Sequence, residues 1–217
     1  MTYMEQIINT VNATEIGVPI YTADLAEHIM AEFALEQSKA KAAVSVAMKR
    51  IMDKELCPNL RFYQKGIYYL ATKTPFGETG INKEYLIGRK YLYPDNGYET
   101  GYAALYRMGL TTQLPNERVI ATNAATDCLR EDKKLGVFIK PPKTEITVAN
   151  KMYLQLLDAA ELLDKAPIDE GDPYELLAEH IAKHKMQYDK LLAIADRYYN
   201  KNTIIQVAHI AAVGGTI

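Results

Sequence analysis

Residues 60–71 read LRFYQKGIYYLA, and this stretch decides the fold of the N-terminal third. Two runs of β-formers, Leu60–Tyr63 and Ile67–Leu70, flank Gln64-Lys65-Gly66. Gly66 suits the left-handed position of a tight turn, so the stretch predicts a β-hairpin. Upstream, the periodicity is helical. Met4, Ile7, Ile8 and Val11 recur at spacings of three and four, the pattern of an amphipathic helix over residues 3–11. After a short link containing Gly17 and Pro19, Thr22 is read as the cap of a second helix, 23–33, with Asp24 and Glu27 near its positive end. Its inner stripe is Leu25, His28, Ile29 and Phe33. Ser38 is read as the cap of a third helix running to about Lys54. Ala40, Val44, Ala47 and Ile51 share its inner face, and Ser38, Ala42, Ser45 and Lys49 its outer face. Three helices followed by a hairpin is the order of a winged helix-turn-helix.

The charge distribution bears on what such a module touches. The chain has 217 residues and a net charge of −2, which argues against indiscriminate nucleic-acid binding. Residues 1–37, however, carry six acids and no Lys or Arg, whereas residues 38–74 carry a local net of +6. A compact basic stretch in a mildly acidic chain is the footprint of a phosphate-contacting surface. Small outer residues let a helix seat deep in the major groove, and basic flanks reach phosphates. The candidate DNA-binding residues are therefore Ser38, Lys39, Lys41, Ser45, Lys49 and Arg50 on the third helix and Arg61, Tyr63, Gln64 and Lys65 on the hairpin. Ser45 and Gln64 are the candidates for base-edge contact. The competing reading of the same residues is a scaffold or protein-docking module.

Downstream, residues 72–80 (TKTPFGETG) read as a linker, placing the domain boundary at 74/75. Asn82 is read as the cap of a short helix to about Tyr91, and PDNG at 94–97 as a turn. Thr100 is read as the cap of a helix through Met108, with Gly109 as its left-handed C-cap and Leu110 as the accompanying hydrophobic contact. Residues 118–122 and 135–139 read as strands, and 146–148 as a third. From about Asn150 the pattern is helical, with Asp172-Pro173-Tyr174-Glu175 a strong helix start and further helices at 187–199 and 203–212. The expected fold class is α+β: a winged helix-turn-helix over 1–74, then a mixed α/β domain over 75–217 with a helical C-terminal end. Residues 150–217 carry a net of −3.

The chemistry of an enzyme is not visible. No phosphate-binding loop, dinucleotide fingerprint, nucleophile elbow or HExxH motif occurs. His180 and His184, at i and i+4, are half of a zinc site, with no third ligand apparent. His28 and His209 read as packing residues. Cys57 and Cys128 cannot form a disulfide framework or a four-cysteine zinc site. Asp127, Glu131 and Asp132, interspersed with Arg130, Lys133 and Lys134, read as a solvated turn. We expect no catalytic residue, no metal and no cofactor. No apolar run approaches the ~18 residues of a membrane span. The first ten residues show neither a basic nor an apolar signal region, so a cytoplasmic protein is expected.

The stretch GYETGYAALYRMGLTTQLPNERVIATN (97–123), together with KGIYYLA (65–71) and TPFGE (74–78) upstream, resembles the AbiEi-type antitoxin and transcriptional-regulator family of bacterial abortive-infection systems. The best-matching positions are Lys65, Gly66, Tyr68, Tyr69, Pro75 to Glu78, the Gly97-Tyr98 start, Leu105 to Leu110, Thr112-Gln113, Pro115 and Ala121-Thr122-Asn123. The resemblance covers about residues 20–165 and fades into the acidic C-terminal helices. It implies a transcriptional autorepressor whose winged helix binds double-stranded operator DNA upstream of its own operon. It also implies an antitoxin domain opposing a nucleotidyltransferase-like toxin, without requiring a stable complex with that toxin. The alternatives are a stand-alone winged-helix regulator whose second domain senses a ligand or dimerises, and a winged-helix protein-interaction adaptor.

Overall fold

A backbone hydrogen-bond ladder joins the two β-runs that open the sequence argument. In the computed structural model, which describes residues 2–169 and 171–215, β2 (Leu60–Gln64) pairs antiparallel with β3 (Ile67–Leu70). Gln64 lies opposite Ile67, so Lys65-Gly66 is a two-residue turn, and Gly66 has φ +80°. The register shifts between Phe62 and Gln64, which makes Tyr63 a bulge. A two-residue strand, β1 (Ile20–Tyr21), adds to the far side of β3, giving the order β1-β3-β2.

The helices of this unit are α1 (Tyr3–Ala13), α2 (Thr22–Phe33) and α3 (Gln37–Asp53). Thr2 and Glu5 close a reciprocal capping box at the start of α1. Two expected caps are corrected. Glu36, not Ser38, is the N-cap of α3, and Tyr21, not Thr22, is that of α2. Thr22 is already helical because its N–H and hydroxyl both donate to the carbonyl of Gly66, pinning the hairpin turn against the start of α2. Ile7, Val11, Leu25, Ile29, Val44, Met48 and Ile51 meet Leu60 and Leu70 in one core. His28 is not part of it. Its side chain is 53% exposed and lies against Gln6 and Glu32, because the core stripe of α2 runs through Ala26 instead.

Residues 73–78 are not a free linker. Lys73–Thr74 (β4) and Gly77–Glu78 (β5) form a two-stranded ribbon, tied to β2 by Arg61 and Glu78. The chain accordingly divides into compact units at Leu86/Ile87, inside the short helix α4 (Lys83–Ile87), not at 74/75. Asn82 caps α4 as expected, accepting from Glu84 N–H.

The second unit is mixed α+β. A π-helical turn (Gly88–Leu92) precedes β6 (Gly97–Thr100), α5 (Tyr102–Arg107), β7 (Val119–Thr122), β8 (Arg130–Asp132) and β9 (Val137–Lys140). The sheet order is β6-β7-β9-β8, with β7 and β9 parallel and the other pairs antiparallel. Thr100 ends a strand rather than capping α5; Gly101, at φ +70°, is the N-cap. Gly109 has the expected left-handed φ of +77°, and Leu110 N–H returns to the carbonyl of Leu105. Residues 146–148 form no strand: the backbone of Ile146 is held by both ends of the Asn123 amide. Residues 130–132, expected to be part of a solvated turn, are instead the edge strand of the sheet.

The C-terminal end is four helices, α6 (Lys151–Ala160), α7 (Pro173–Lys183), α8 (Tyr188–Tyr198) and α9 (Lys201–Val213). Asp172 caps α7 and Asn200 caps α9 through their side chains. Leu154, Leu157, Leu177, Leu191, Val207 and Ile210 form the helical core. His209, expected among packed residues, is exposed, with its ring 5.3 Å from that of Tyr174. No helix among the described residues is long and apolar enough to cross a membrane.

Candidate nucleic-acid interface

The outward face of α3 follows from its inward one. With Ala40, Val44, Ala47, Met48 and Ile51 buried, the helical period leaves Ser38, Lys41, Ala42, Ser45 and Lys49 in solvent. The hairpin stands beside this face. Leu60 and Leu70 are committed to the core, and period-two alternation puts Phe62 and Tyr68 on the same side of the sheet. Between α3 and the hairpin lies an open groove of about 590 Å³. Lys41, Ser45 and Met48 line it from the helix, Phe62, Lys65 and Tyr68 from the hairpin, and Thr22 from the start of α2.

The structure thus brings together Lys41, Ser45 and Lys65 among the ten predicted residues. Ser38, Lys39, Lys49 and Arg50 are exposed on α3 but do not line this groove. Arg50 borders a second groove of about 420 Å³ between α3 and the start of α1, beside Tyr3, Met4 and Val46. Lys39 is 3.3 Å from Glu36, a pair with both side chains mostly exposed and hence loosely held. Among the described residues Lys41, Lys49, Arg50 and Lys65 form no ion pair, so their charge faces outward undivided. Tyr63 and Gln64 are half-buried.

Arg61 is the most fully engaged of these cations. Its Nε and Nη2 donate to the Glu78 carboxylate, and Nη1 donates to the carbonyls of Pro58 at 2.7 Å and Leu60 at 2.9 Å. The hydrogen bonds with Glu78 hold the arginine above and the carboxyl below their usual ranges. A guanidinium with its fork occupied this way fastens the β4–β5 ribbon and is unavailable for phosphate, so Arg61 leaves the candidate set. Phe62, Tyr68 and Thr22 enter it. Sequence reasoning passed over Phe62 as a strand former, although its position two residues from Leu60 already put it on the helix-facing side of the hairpin.

The second unit holds its charges in tight internal sets. Asp158, with a side chain 2% exposed, accepts from Thr100 Oγ1 at 2.6 Å and Tyr199 OH at 2.7 Å and lies 3.0 Å from Lys140 Nζ. Glu99, also buried, sits between Arg118 at 2.5 Å and Arg107 at 2.7 Å. Asp132 accepts from Lys90 Nζ and Tyr91 OH, both at 2.8 Å. Burial pushes the phenols of Tyr98 and Tyr199 far up, so both stay protonated. Asp158 and Glu99 do not stand out in the sequence, and Asp132 reads there as part of a solvated turn, because the partners come from other segments.

Among the described residues no three His, Cys, Asp or Glu side chains are grouped to hold a metal ion. The rings of His180 and His184 lie 4.3 Å apart, and burial, then the neighbouring charge of His184, pushes His180 down. Cys57 is buried, which pushes its thiol up and away from nucleophilic character, and Cys128 is exposed. No protein-family model matches the chain, and a search of curated proteins returns no match.

Proposed function

We propose that residues 1–74 act as a winged helix-turn-helix that binds double-stranded DNA, with α3 as the reading helix and the β2–β3 hairpin as the wing. The observation that carries this reading is the groove between them. Exposed lysines stand on both of its walls, Lys41 on the helix and Lys65 on the hairpin turn, with the small polar side chain of Ser45 alongside. Lys49 and Arg50 extend the same charge along α3. Six of the eight acids of residues 1–74 precede α3, whereas all of its Lys and Arg lie on α3 or beyond it, so its charge is polarised toward the proposed DNA face. Phosphates would be met by Lys41, Lys49, Arg50 and Lys65, and base edges by Ser45.

On the resemblance to AbiEi-type proteins, we further propose that the chain is an autorepressor and antitoxin of a toxin–antitoxin operon. It would bind the DNA upstream of that operon and oppose a nucleotidyltransferase-like toxin, with the second unit carrying the antitoxin role. Charge reversal tests the DNA reading directly. Lys41→Glu with Lys49→Glu should abolish binding to the upstream fragment while the far-ultraviolet circular dichroism and melting temperature stay unchanged, since both side chains are exposed. Binding that survives this reversal rules out α3 as the reading helix. Co-expression with the adjacent toxin tests the antitoxin role: rescue of growth is expected, and loss of rescue on deleting residues 87–217 assigns it to the second unit.

A further inference from the structure

The DNA-facing groove is not uniformly polar. Its hairpin wall carries Phe62, a phenylalanine 56% exposed, whose ring meets that of Tyr68 edge to face at 5.5 Å and 71°. Met48 contributes to the same lining from the helix. An apolar ring left in water loses free energy it would recover against an apolar ligand group. The contact with Tyr68 fixes the orientation of the ring without covering it. The groove therefore presents an apolar surface beside Ser45, between a helix wall and a hairpin wall that each carry a lysine.

Duplex DNA offers few apolar groups to such a surface. The lysines match the phosphates. In the major groove, where an outward helix face meets base edges, the apolar group is the 5-methyl of thymine. Ser45 and Phe62 line the same groove, so a helix read at Ser45 brings the aromatic ring alongside base edges. Resting on the DNA reading above, we propose that Phe62, backed by Tyr68, is a specificity determinant that receives a thymine methyl group in the bound operator. The site then favours thymine over cytosine, and over uracil, at one position by an apolar contact and not by a hydrogen bond.

Uracil lacks only that methyl group and pairs identically with adenine, so it isolates the contact. The full chain is titrated with its own upstream duplex, once with thymine and once with 2′-deoxyuridine at every thymine position. Single replacements then locate the effect. Burial of one methyl group corresponds to an affinity change of about fourfold, which is the loss expected for one replaced position. Phe62→Ala should bind the thymine and uracil duplexes equally, whereas Phe62→Leu, which keeps apolar surface, should retain a preference for thymine. Phe62 is more than half exposed, and a thermal melt of each variant confirms that it folds; the wild-type comparison needs no variant at all. Equal wild-type affinity for the two duplexes overturns the proposal while leaving the DNA reading intact. So does a uracil penalty that persists in Phe62→Ala, which would place the methyl contact elsewhere. Equal loss of affinity for both duplexes in Phe62→Ala, with no wild-type uracil penalty, assigns the ring to the sugar backbone instead. Failure of the wild-type chain to bind either duplex removes the DNA reading itself, and a protein partner captured through Phe62 would then account for the exposed ring.

Discussion

Replacing Lys41, Lys49 and Lys65 together by Ala should flatten the salt dependence of DNA binding, and Arg61→Ala should not. The three lysines are exposed and form no ion pair among the described residues, so each is free to neutralise a phosphate. Each phosphate contact contributes about 0.9 to the slope of log K against log salt, so the triple variant should lose about 2.7 from that slope. Between 50 and 200 mM salt, a loss of that size makes the affinity change smaller by about 40-fold. Arg61 lies on the hairpin too, but its fork is filled by Glu78 and the carbonyls of Pro58 and Leu60. Its removal should leave the slope unchanged and lower the melting temperature by freeing the β4–β5 ribbon. The assay is fluorescence-anisotropy titration of a labelled upstream duplex at four salt concentrations. An unchanged slope in the triple variant, or a loss of slope on removing Arg61, would refute the assignment of charges.

Other expectations follow from the second unit. Asp158→Ala strips a buried carboxylate from Lys140, Thr100 and Tyr199 and should destabilise the unit by about 3 kcal/mol in urea unfolding, because Lys140 and Thr100 stay behind without it, while Tyr199 keeps the Leu154 carbonyl. Gly97→Ala puts a Cβ closer than 3.0 Å to the carbonyl oxygens of Tyr91 and Ala121, both backbone atoms, and should cost about 3 kcal/mol or more, read as a fall in melting temperature. Burial raises the Asp132 carboxyl, but hydrogen bonds from Lys90, Tyr91 and Leu135 N–H outweigh it and leave the group below its usual value. Its contribution to stability is therefore complete above about pH 4 and is lost as pH falls through the lower folded value. Asp132→Asn should flatten the stability profile in that acidic range, measured by urea unfolding from about pH 2 to about pH 6.

Much of this architecture was legible in local pattern. The stripes of α1 and α3, the turn at Lys65-Gly66, the Gly109 C-cap and the Asp172-Pro173 helix start all carry their signal within a few residues. What stayed hidden depends on partners distant in sequence. β1 is two residues long and exists because β3 offers it an edge. β6 begins at a glycine packed against two carbonyls and ends at a threonine bound to Asp158, so its sequence resembles a turn and a cap. Arg61 was indistinguishable from the other hairpin cations until Glu78, seventeen residues on, was placed against it. Thr22 has the composition of a cap, but the Gly66 carbonyl draws it into the helix instead. For the candidate site, charge marked the lysines, whereas Phe62 was concealed because a strand former and a groove-lining ring look alike in one dimension.

Titration of the full chain, across a range of salt, against its own upstream DNA and a scrambled duplex of equal length decides whether α3 and the hairpin read DNA. Tight, salt-sensitive binding that prefers the upstream fragment is expected. Weak binding, equal on the two duplexes, would contradict the DNA reading and leave the three helices and hairpin as a scaffold for another partner.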